Sequence, residues 1–254
     1  MRASGHSFDT PWAGRRAIVT GAASGIGRAV AEMLVGDGVI VTAVDRSDAI
    51  QELESVGAHA VQADVTDHQA RQRIASGAGP VHYLVNAAGV IRVGDIDTFT
   101  AADWRFVFDV NVEAPFFLTQ AVIARMPAGA AIVNLSSMAA KMSDDASAAY
   151  SASKAAIASF TRAFAARLGP DGIRVNAVSP GIIETPMQND FLSFYAARDG
   201  VTETEFQKGR LRTVPLRRAG TAVDCAQVIR FLLSDAAAYV TGADVNITGG
   251  LVTW

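Results

Sequence analysis

Residues 17–27, Ala17-Ile18-Val19-Thr20-Gly21-Ala22-Ala23-Ser24-Gly25-Ile26-Gly27, pass from a short apolar run through a glycine-rich turn into a helical pattern that reaches about Gly36. A strand handed directly to a helix is the opening half of a crossover, the connection that lets two strands pair in parallel. The rest of the chain repeats that rhythm. Val39–Val44, Ala60–Ala63, Val81–Val85, Ala131–Leu135, Arg174–Val178 and Asp244–Ile247 read as further strands. Val39–Val44 is apolar almost throughout, as a strand buried on both faces requires. Between the strands, Ala101–Arg125, Ala148–Leu168 and Val223–Leu233 carry apolar residues at helical spacing. This alternation predicts an α/β fold, a doubly wound parallel sheet with helices on both faces. No linker, repeat or low-complexity tract interrupts it, so residues 1–254 are expected to form a single domain.

Half of the residues are hydrophobic and 19% are charged, which excludes a disordered chain. A net charge of -3, with scattered arginines, gives no reason to expect nucleic acid. No uninterrupted apolar run reaches the ~18–20 residues that cross a bilayer, so no membrane partner is expected. Met1-Arg2-Ala3-Ser4-Gly5-His6-Ser7 lacks the apolar core of a secretory signal. The one cysteine, Cys225, cannot form an internal disulfide and reads as a small core residue. A cytoplasmic protein is expected, and no metal site is predicted.

The turn has the spacing Gly21-x-x-x-Gly25-x-Gly27. Glycines there let the backbone approach a pyrophosphate at the N-terminus of the helix, with Ser24 and Ile26 beside it. Taken alone such a turn is weak evidence, because strand-to-helix turns use glycine for geometry. Asp45, at the end of the second strand, strengthens it. A carboxylate in that place accepts from both ribose hydroxyls of an adenosine and repels a 2′-phosphate. Arg46 could instead pair with such a phosphate, but Ser24 brings no second positive charge into the turn. NAD(H) is therefore favoured over NADP(H). Asp64-Val65 ends the third strand, where the sheet rim could meet adenine; Asp64 also reads as a turn or helix N-cap residue. Asn86-Ala87-Ala88-Gly89 ends the fourth strand with small residues, as backbone packed against a ligand requires. All of these lie at carboxyl ends of strands, where open α/β sheets bind ligands.

Tyr150 and Lys154 stand four residues apart in Tyr150-Ser151-Ala152-Ser153-Lys154, so a helix carries both on one face. An ammonium beside a phenol stabilises the phenolate, which predicts a tyrosine pKa lowered toward neutrality. Such a phenol can take a proton from an alcohol or return one to a ketone.

Thr20–Gly27, Asn86-Ala87-Ala88-Gly89, Asn111, Ser136-Ser137, Tyr150-x-x-x-Lys154 and Ser179-Pro180-Gly181 together resemble the short-chain dehydrogenase/reductase family, from about Gly14 to Gly250. The resemblance implies a single Rossmann-type domain of seven parallel strands and a catalytic tetrad. Tyr150 would be the general acid/base, and Lys154 would lower its pKa and bind the nicotinamide ribose. Ser137, thirteen residues before the tyrosine, would hold the substrate oxygen, and Asn111 would organise a water linking Lys154 to solvent. Pro180-Gly181-Ile182-Ile183-Glu184-Thr185 resembles the family's nicotinamide-binding loop, with the Ile183 backbone at the carboxamide and Thr185 at a phosphate or the carboxamide.

Residues 185–218 carry no strand signal, and Phe191, Phe194, Tyr195 and Phe206 are interspersed with charges. They match the family's variable substrate loop, a lid over the ligand, while the residues alone also allow a pair of amphipathic surface helices. Arg92, Val93, Met138, Ala139, Met142, Ile182, Met187, Phe191 and Tyr195 are expected to face a small-molecule substrate. The expected reaction interconverts a secondary alcohol (a polyol, sugar or cyclic alcohol) and a ketone with NAD(H). Alternatives are a reductase of a bulkier hydrophobic ketone using NADP(H), a sugar epimerase or dehydratase, and a non-catalytic NAD(H)-binding regulator. Ala101–Arg125 and the alanine-rich Ala148–Leu168 match helices that pair subunits in this family, which implies a homotetramer.

Overall fold

The computed structural model describes residues 12–142 and 144–254; the stretch read above as lacking a secretory signal lies outside them. Seven strands form one parallel sheet: β1 (Arg16–Thr20), β2 (Ile40–Asp45), β3 (His59–Gln62), β4 (Tyr83–Asn86), β5 (Ala131–Leu135), β6 (Arg174–Pro180) and β7 (Asp244–Ile247). Their order is β3-β2-β1-β4-β5-β6-β7, so the progression reverses between β1 and β4. Boundaries differ from the expected ones by two residues or fewer. The largest difference at a carboxyl end is in β6, where Ser179 and Pro180 continue the ladder against Asn246 and Ile247 of β7.

The long helices are α1 (Gly25–Gly36), α2 (His68–Gly77), α3 (Ala101–Phe108), α4 (Ala114–Val122), α5 (Ala148–Leu168), α6 (Gln188–Asp199), α7 (Glu203–Leu211) and α8 (Ala222–Leu233). α1 and α8 pack together on one face of the sheet, burying Val30, Leu34, Ile229 and Leu232. On the other face α2 and α4 bury Ile74, Leu118 and Val122 against Ile18, Leu84 and Ile132. Both faces are covered, which is why the inner strands carry apolar residues on both sides.

The helix expected over Ala101–Arg125 is not uniform. α3 and α4 are joined by a wider π turn, Asp109–Glu113, which carries the fully buried Asn111. Turns of this kind recur at functional sites, because the extra residue turns one side chain off the helical repeat. The whole stretch is also long and apolar enough, by length and composition, to cross a membrane. That differs from the expectation of no such run, because the most apolar 18 residues of the stretch hold only two charges, Asp109 and Glu113. In this fold Val107, Ala114, Leu118 and Val122 are buried in the domain.

Residues 184–219 leave the sheet after β6 and return before α8. Their two ends meet in a parallel bridge between Ile183 and Gly220. The excursion contains the α6–α7 pair, so the helix-pair reading of its residues holds for its architecture. A small apolar cluster of Ile182, Val214 and Ala219 lies at its base.

Candidate functional site

At the carboxyl ends of β1 and β4 the two segments that follow the strands lie against each other. The Thr20 hydroxyl accepts hydrogen bonds from the backbone N–H groups of Ala87 and Ala88, at 3.1 and 3.2 Å. Gly21 has φ of +66°, and a Cβ there would stand 2.7 Å from the Ala88 Cα. A Cβ on Gly27 would stand 2.2 Å from the Gly21 carbonyl oxygen. The turn therefore needs glycine at both positions, one to bring the strands together and one to start α1 against the turn. The result is a cleft along the strand ends.

The cleft is lined by Gly21, Ser24, Gly25, Ile26 and Gly27 from the turn, and by Asp45, Arg46, Asp64 and Val65 from the ends of β2 and β3. Ala87 and Gly89 line it after β4, and Ser137, Tyr150, Lys154, Pro180, Gly181, Ile183 and Thr185 complete its other end. The sequence expectations for the dinucleotide are thus brought together, with one exception. Asn86 is buried and does not line the cleft; its side chain donates to Thr119 Oγ1 at 3.2 Å and Asn134 Oδ1 at 2.8 Å, tying β4 to α4 and β5.

Asp45 accepts from the Ala23 N–H at 3.1 Å and the Ser47 N–H at 2.9 Å. Its carboxylate is thereby fixed against the glycine turn. Asp64 does two things: it lines the cleft, and its Oδ1 accepts from the N–H and hydroxyl of Thr66, both at 2.8 Å. It is a turn residue but not a helix cap, since the N-cap of α2 is Asp67.

Ser137, Tyr150 and Lys154 converge at the far end. The Ser137 hydroxyl hydrogen-bonds the Tyr150 phenol. Lys154 is buried, its Nζ donates to the Leu135 carbonyl at 2.8 Å, and it lies 5.5 Å from the Tyr150 ring centroid. Ser136, also on the cleft, donates to the Lys154 carbonyl at 3.0 Å and so pins α5 to β5. Asn111 does not line the cleft but lies beneath it. Its Oδ1 accepts from the Val90 N–H at 2.8 Å, and its Nδ2 donates to the Val90 carbonyl at 2.9 Å and to Ser153 Oγ at 3.0 Å. Ser153 in turn donates to the Tyr150 carbonyl at 2.7 Å. A Cβ on Gly89 would lie 3.4 Å from Lys154 Nζ and 3.5 Å from Asn111 Oδ1, so both groups face the same spot.

The electrostatics correct the expectation of a phenol lowered by its lysine. Burial raises the Tyr150 pKa above its ordinary value, and the Ser137 hydrogen bond opposes this only in part. Lys154 is itself lowered to about 7 by burial, so at neutral pH its charge is partial, and it is directed at Leu135 rather than at the phenol oxygen. Desolvation of the phenolate is the larger effect, and the opposing one comes from Ser137.

Of the residues expected to face substrate, Ser137, Tyr150 and Met187 line the cleft. Ile182 is buried in the cluster at the base of the excursion, with Met138 packed against it. Arg92 is exposed, stacked over Phe106 and 3.9 Å from Asp103. Val93, Ala139 and Met142 do not line the cleft either; the Ala139 N–H donates to Ser137 Oγ at 3.1 Å. Phe191 and Tyr195 stack inside the α6–α7 pair, at 4.3 Å between centroids, instead of reaching the cleft. Val90, Val110, Leu135, Pro186 and Gln188 line it without having been anticipated. Val110 was legible as the neighbour of Asn111 and Leu135 as the last residue of β5. Gln188 carries no sequence signal of its own.

A family model described as Enoyl-(Acyl carrier protein) reductase matches residues 21–252. The chain is 35% identical to L-xylulose reductase of Bos taurus over 254 residues, covering 96% of this chain and 99% of the relative. It is 37% identical over 253 residues to galactitol 2-dehydrogenase (L-tagatose-forming) of Cereibacter sphaeroides, covering 95% and 96%. A solved structure from Beutenbergia cavernae is described as an NAD(P) dependent gluconate 5-dehydrogenase with bound NADP at low occupancy. It matches with a TM-score of 0.84 at 33% identity, covering 95% of this chain and 98% of that one. The chain belongs to the short-chain dehydrogenase/reductase family. It is thus an oxidoreductase of CH–OH groups, from a family that binds a nicotinamide cofactor and small-molecule substrates.

The lowered Lys154 pKa has a consequence for stability. Between about 7, its value in the fold, and its ordinary value of 10.5, the unfolded chain binds more protons than the folded one. Stability due to this group therefore rises with pH across that window. The difference in Tm between the wild type and Lys154→Met should move in favour of the wild type as pH is raised from 7 to 10. Thermal melts at matched ionic strength that show a constant difference would refute this.

Proposed function

We propose that the protein is an NAD(H)-dependent dehydrogenase that interconverts a secondary alcohol and a ketone, with a polyol, sugar alcohol or cyclic alcohol as substrate. The observation that carries this reading is the convergence of Ser137, Tyr150 and Lys154 at one end of a cleft whose other end is a glycine cradle. The sugar and polyol relatives support the substrate class.

The cradle fits a dinucleotide. No side chain intrudes at Gly21, the N-terminus of α1 faces the turn, and the Asp45 carboxylate stands at the β2 end. Gly21, Gly25, Ile26 and Gly27 would hold the pyrophosphate, and Asp45 the adenosine ribose, with Arg46, Asp64 and Val65 nearby. Ala87, Gly89, Pro180, Gly181, Ile183 and Thr185 would hold the nicotinamide half. When bound, the cofactor supplies or accepts the hydride.

The protein's own part is to hold the substrate oxygen and move its proton. Ser137 donates to that oxygen and stabilises charge as it builds there. Tyr150 takes the proton from the alcohol, or returns it to the ketone, at its phenol oxygen. Lys154 stands beside the phenol and would bind the nicotinamide ribose, and Asn111 holds the backbone of Val90 and the helix carrying Tyr150 so that a proton path past Gly89 stays open. Because burial holds the phenol above its ordinary value, alcohol oxidation should be fastest at alkaline pH and ketone reduction at lower pH. Tyr150→Phe should lower kcat by about 10³-fold or more in both directions, while NADH binding, followed by fluorescence, stays near the wild-type value. Near-normal turnover would refute the assignment.

A second reading is a reductase of a bulkier ketone using NADP(H). It is favoured by the acyl-carrier description of the family model, by the NADP bound in the Beutenbergia structure, and by Arg46 on the cleft. The two separate cleanly. Like-charge repulsion between Asp45 and a 2′-phosphate should make kcat/KM with NAD about tenfold or more above that with NADP. The reverse order would overturn the NAD(H) assignment and leave NADP(H) as the cofactor.

We also infer a homotetramer. Phe116, Phe160 and Phe164 cluster where α4 meets α5, and Phe117 beside them is exposed, an apolar surface suited to a second copy. Light scattering at micromolar concentration should give four times the chain mass; a monomeric mass would refute it.

A further inference from the structure

The reaction uses Ser137, Tyr150 and Lys154, but none of these tells one alcohol from another. On the side of the cleft formed by the excursion, Pro186 and Met187 bring no hydrogen-bonding side chain, and the polar group that follows them is Gln188, the first residue of α6. Gln188 Oε1 accepts from Arg210 Nη1 at 3.0 Å. A guanidinium has donors only, so the amide must turn its oxygen toward Arg210 and its NH2 away from it. Nothing among the described residues accepts from that NH2.

Arg210 is itself held in place. Its guanidinium lies over the Phe191 ring at 4.4 Å and 5.9 Å from the Phe206 ring, and the same Nη1 reaches Gln207 Oε1 at 3.2 Å. Partial burial lowers its pKa to about 10, so it remains a cation at neutral pH. It does not line the cleft. The aromatic stack of α6 and α7 thus fixes a cation, the cation fixes the amide oxygen, and the amide nitrogen of this cleft residue has no partner among the described residues.

We propose that Gln188, given the polyol or sugar-alcohol reading above on which this rests, is a specificity-determining residue whose Nε2 donates to a substrate hydroxyl on a carbon other than the one oxidised. Arg210 is the residue that positions it. A substrate with a second hydroxyl gives the NH2 an oriented acceptor that a simple secondary alcohol lacks, and that asymmetry sets the preference.

The test compares kcat/KM for xylitol and galactitol with that for cyclohexanol, at saturating NAD, in folded variants checked by their melts. In Gln188→Met the polyol-to-cyclohexanol ratio should fall about tenfold, the loss appearing in the polyol KM rather than in the NAD KM. Gln188→Glu keeps a partner for Arg210 but has no hydrogen to donate, so it should fall at least as far. Arg210→Met should move the ratio in the same direction, and Arg210→Lys, which can still donate to Oε1, should restore most of it. An unchanged ratio in both Gln188 variants, or a loss confined to the NAD KM, would overturn the assignment of Gln188 while leaving the dehydrogenase reading intact. If the wild-type enzyme oxidises cyclohexanol but neither polyol, the substrate reading fails and Gln188 falls with it.

Discussion

The site depends on how closely β1 and β4 approach at their carboxyl ends. Thr20 gives its hydroxyl oxygen to two backbone amides of the β4 loop, and Gly21 lets the turn lie against Ala88 where a side chain would collide. Strand order reverses at this pair, so the helix after β1 leaves for one face of the sheet and the helices after β4 for the other. A crevice opens between them because the chain on its two sides goes opposite ways. Most residues that line the crevice come from the ends of six strands, joined by Tyr150 and Lys154 of α5, Val110 of the π turn and the start of the excursion.

Beneath the crevice lies a layer of buried polar side chains that tertiary hydrogen bonds must satisfy. Asn86, Asn134, Thr119 and Thr161 join β4 and β5 to the two helices over them. Asn111, Ser153 and Ser136 join the π turn and the β5 loop to α5. Burying such groups is costly unless each finds a partner, so these bonds admit few alternative positions for α5. Tyr150 and Lys154 are aimed by that helix. Their geometry is therefore set from below, by groups that, Ser136 apart, do not line the cleft.

The architecture was legible because the strands are short apolar runs separated by helical spacing, and period alone distinguishes the two. Ala131–Leu135, Ala148–Leu168 and Asp244–Ile247 have the bounds that their patterns suggest. The turn glycines, Asp45 and the Tyr150–Lys154 pair were legible because their chemistry is tied to spacing along a single element. Side-chain direction across elements was not. Nothing in the pattern shows that Asn86 turns into the sheet, that Arg92 lies on Phe106, or that Ile182 belongs to a separate cluster. Nor does spacing show that burial would raise the phenol and lower the lysine, since desolvation depends on what the whole fold places above them. Gln188 escaped for the same reason, because its orientation is set by an arginine twenty-two residues away on another helix.

The bridge between Ile183 and Gly220 gives the excursion an unusual independence. The Glu184 N–H donates to the Gly220 carbonyl, and the Gly220 N–H donates to the Ile182 carbonyl, both at 2.9 Å, so the segment is closed at its neck before either helix begins. Beyond the neck, its rings stack chiefly on one another: Phe191 on Tyr195, and Tyr195 on Phe206. Outside the neck the excursion is tied to the loop before α5, through Tyr195 to Asp144 and Arg198 to Asp145, and not to the strands themselves. The strand ladder and the excursion are thus joined chiefly at the neck, and the ladder's own hydrogen bonds do not run through the excursion's helices.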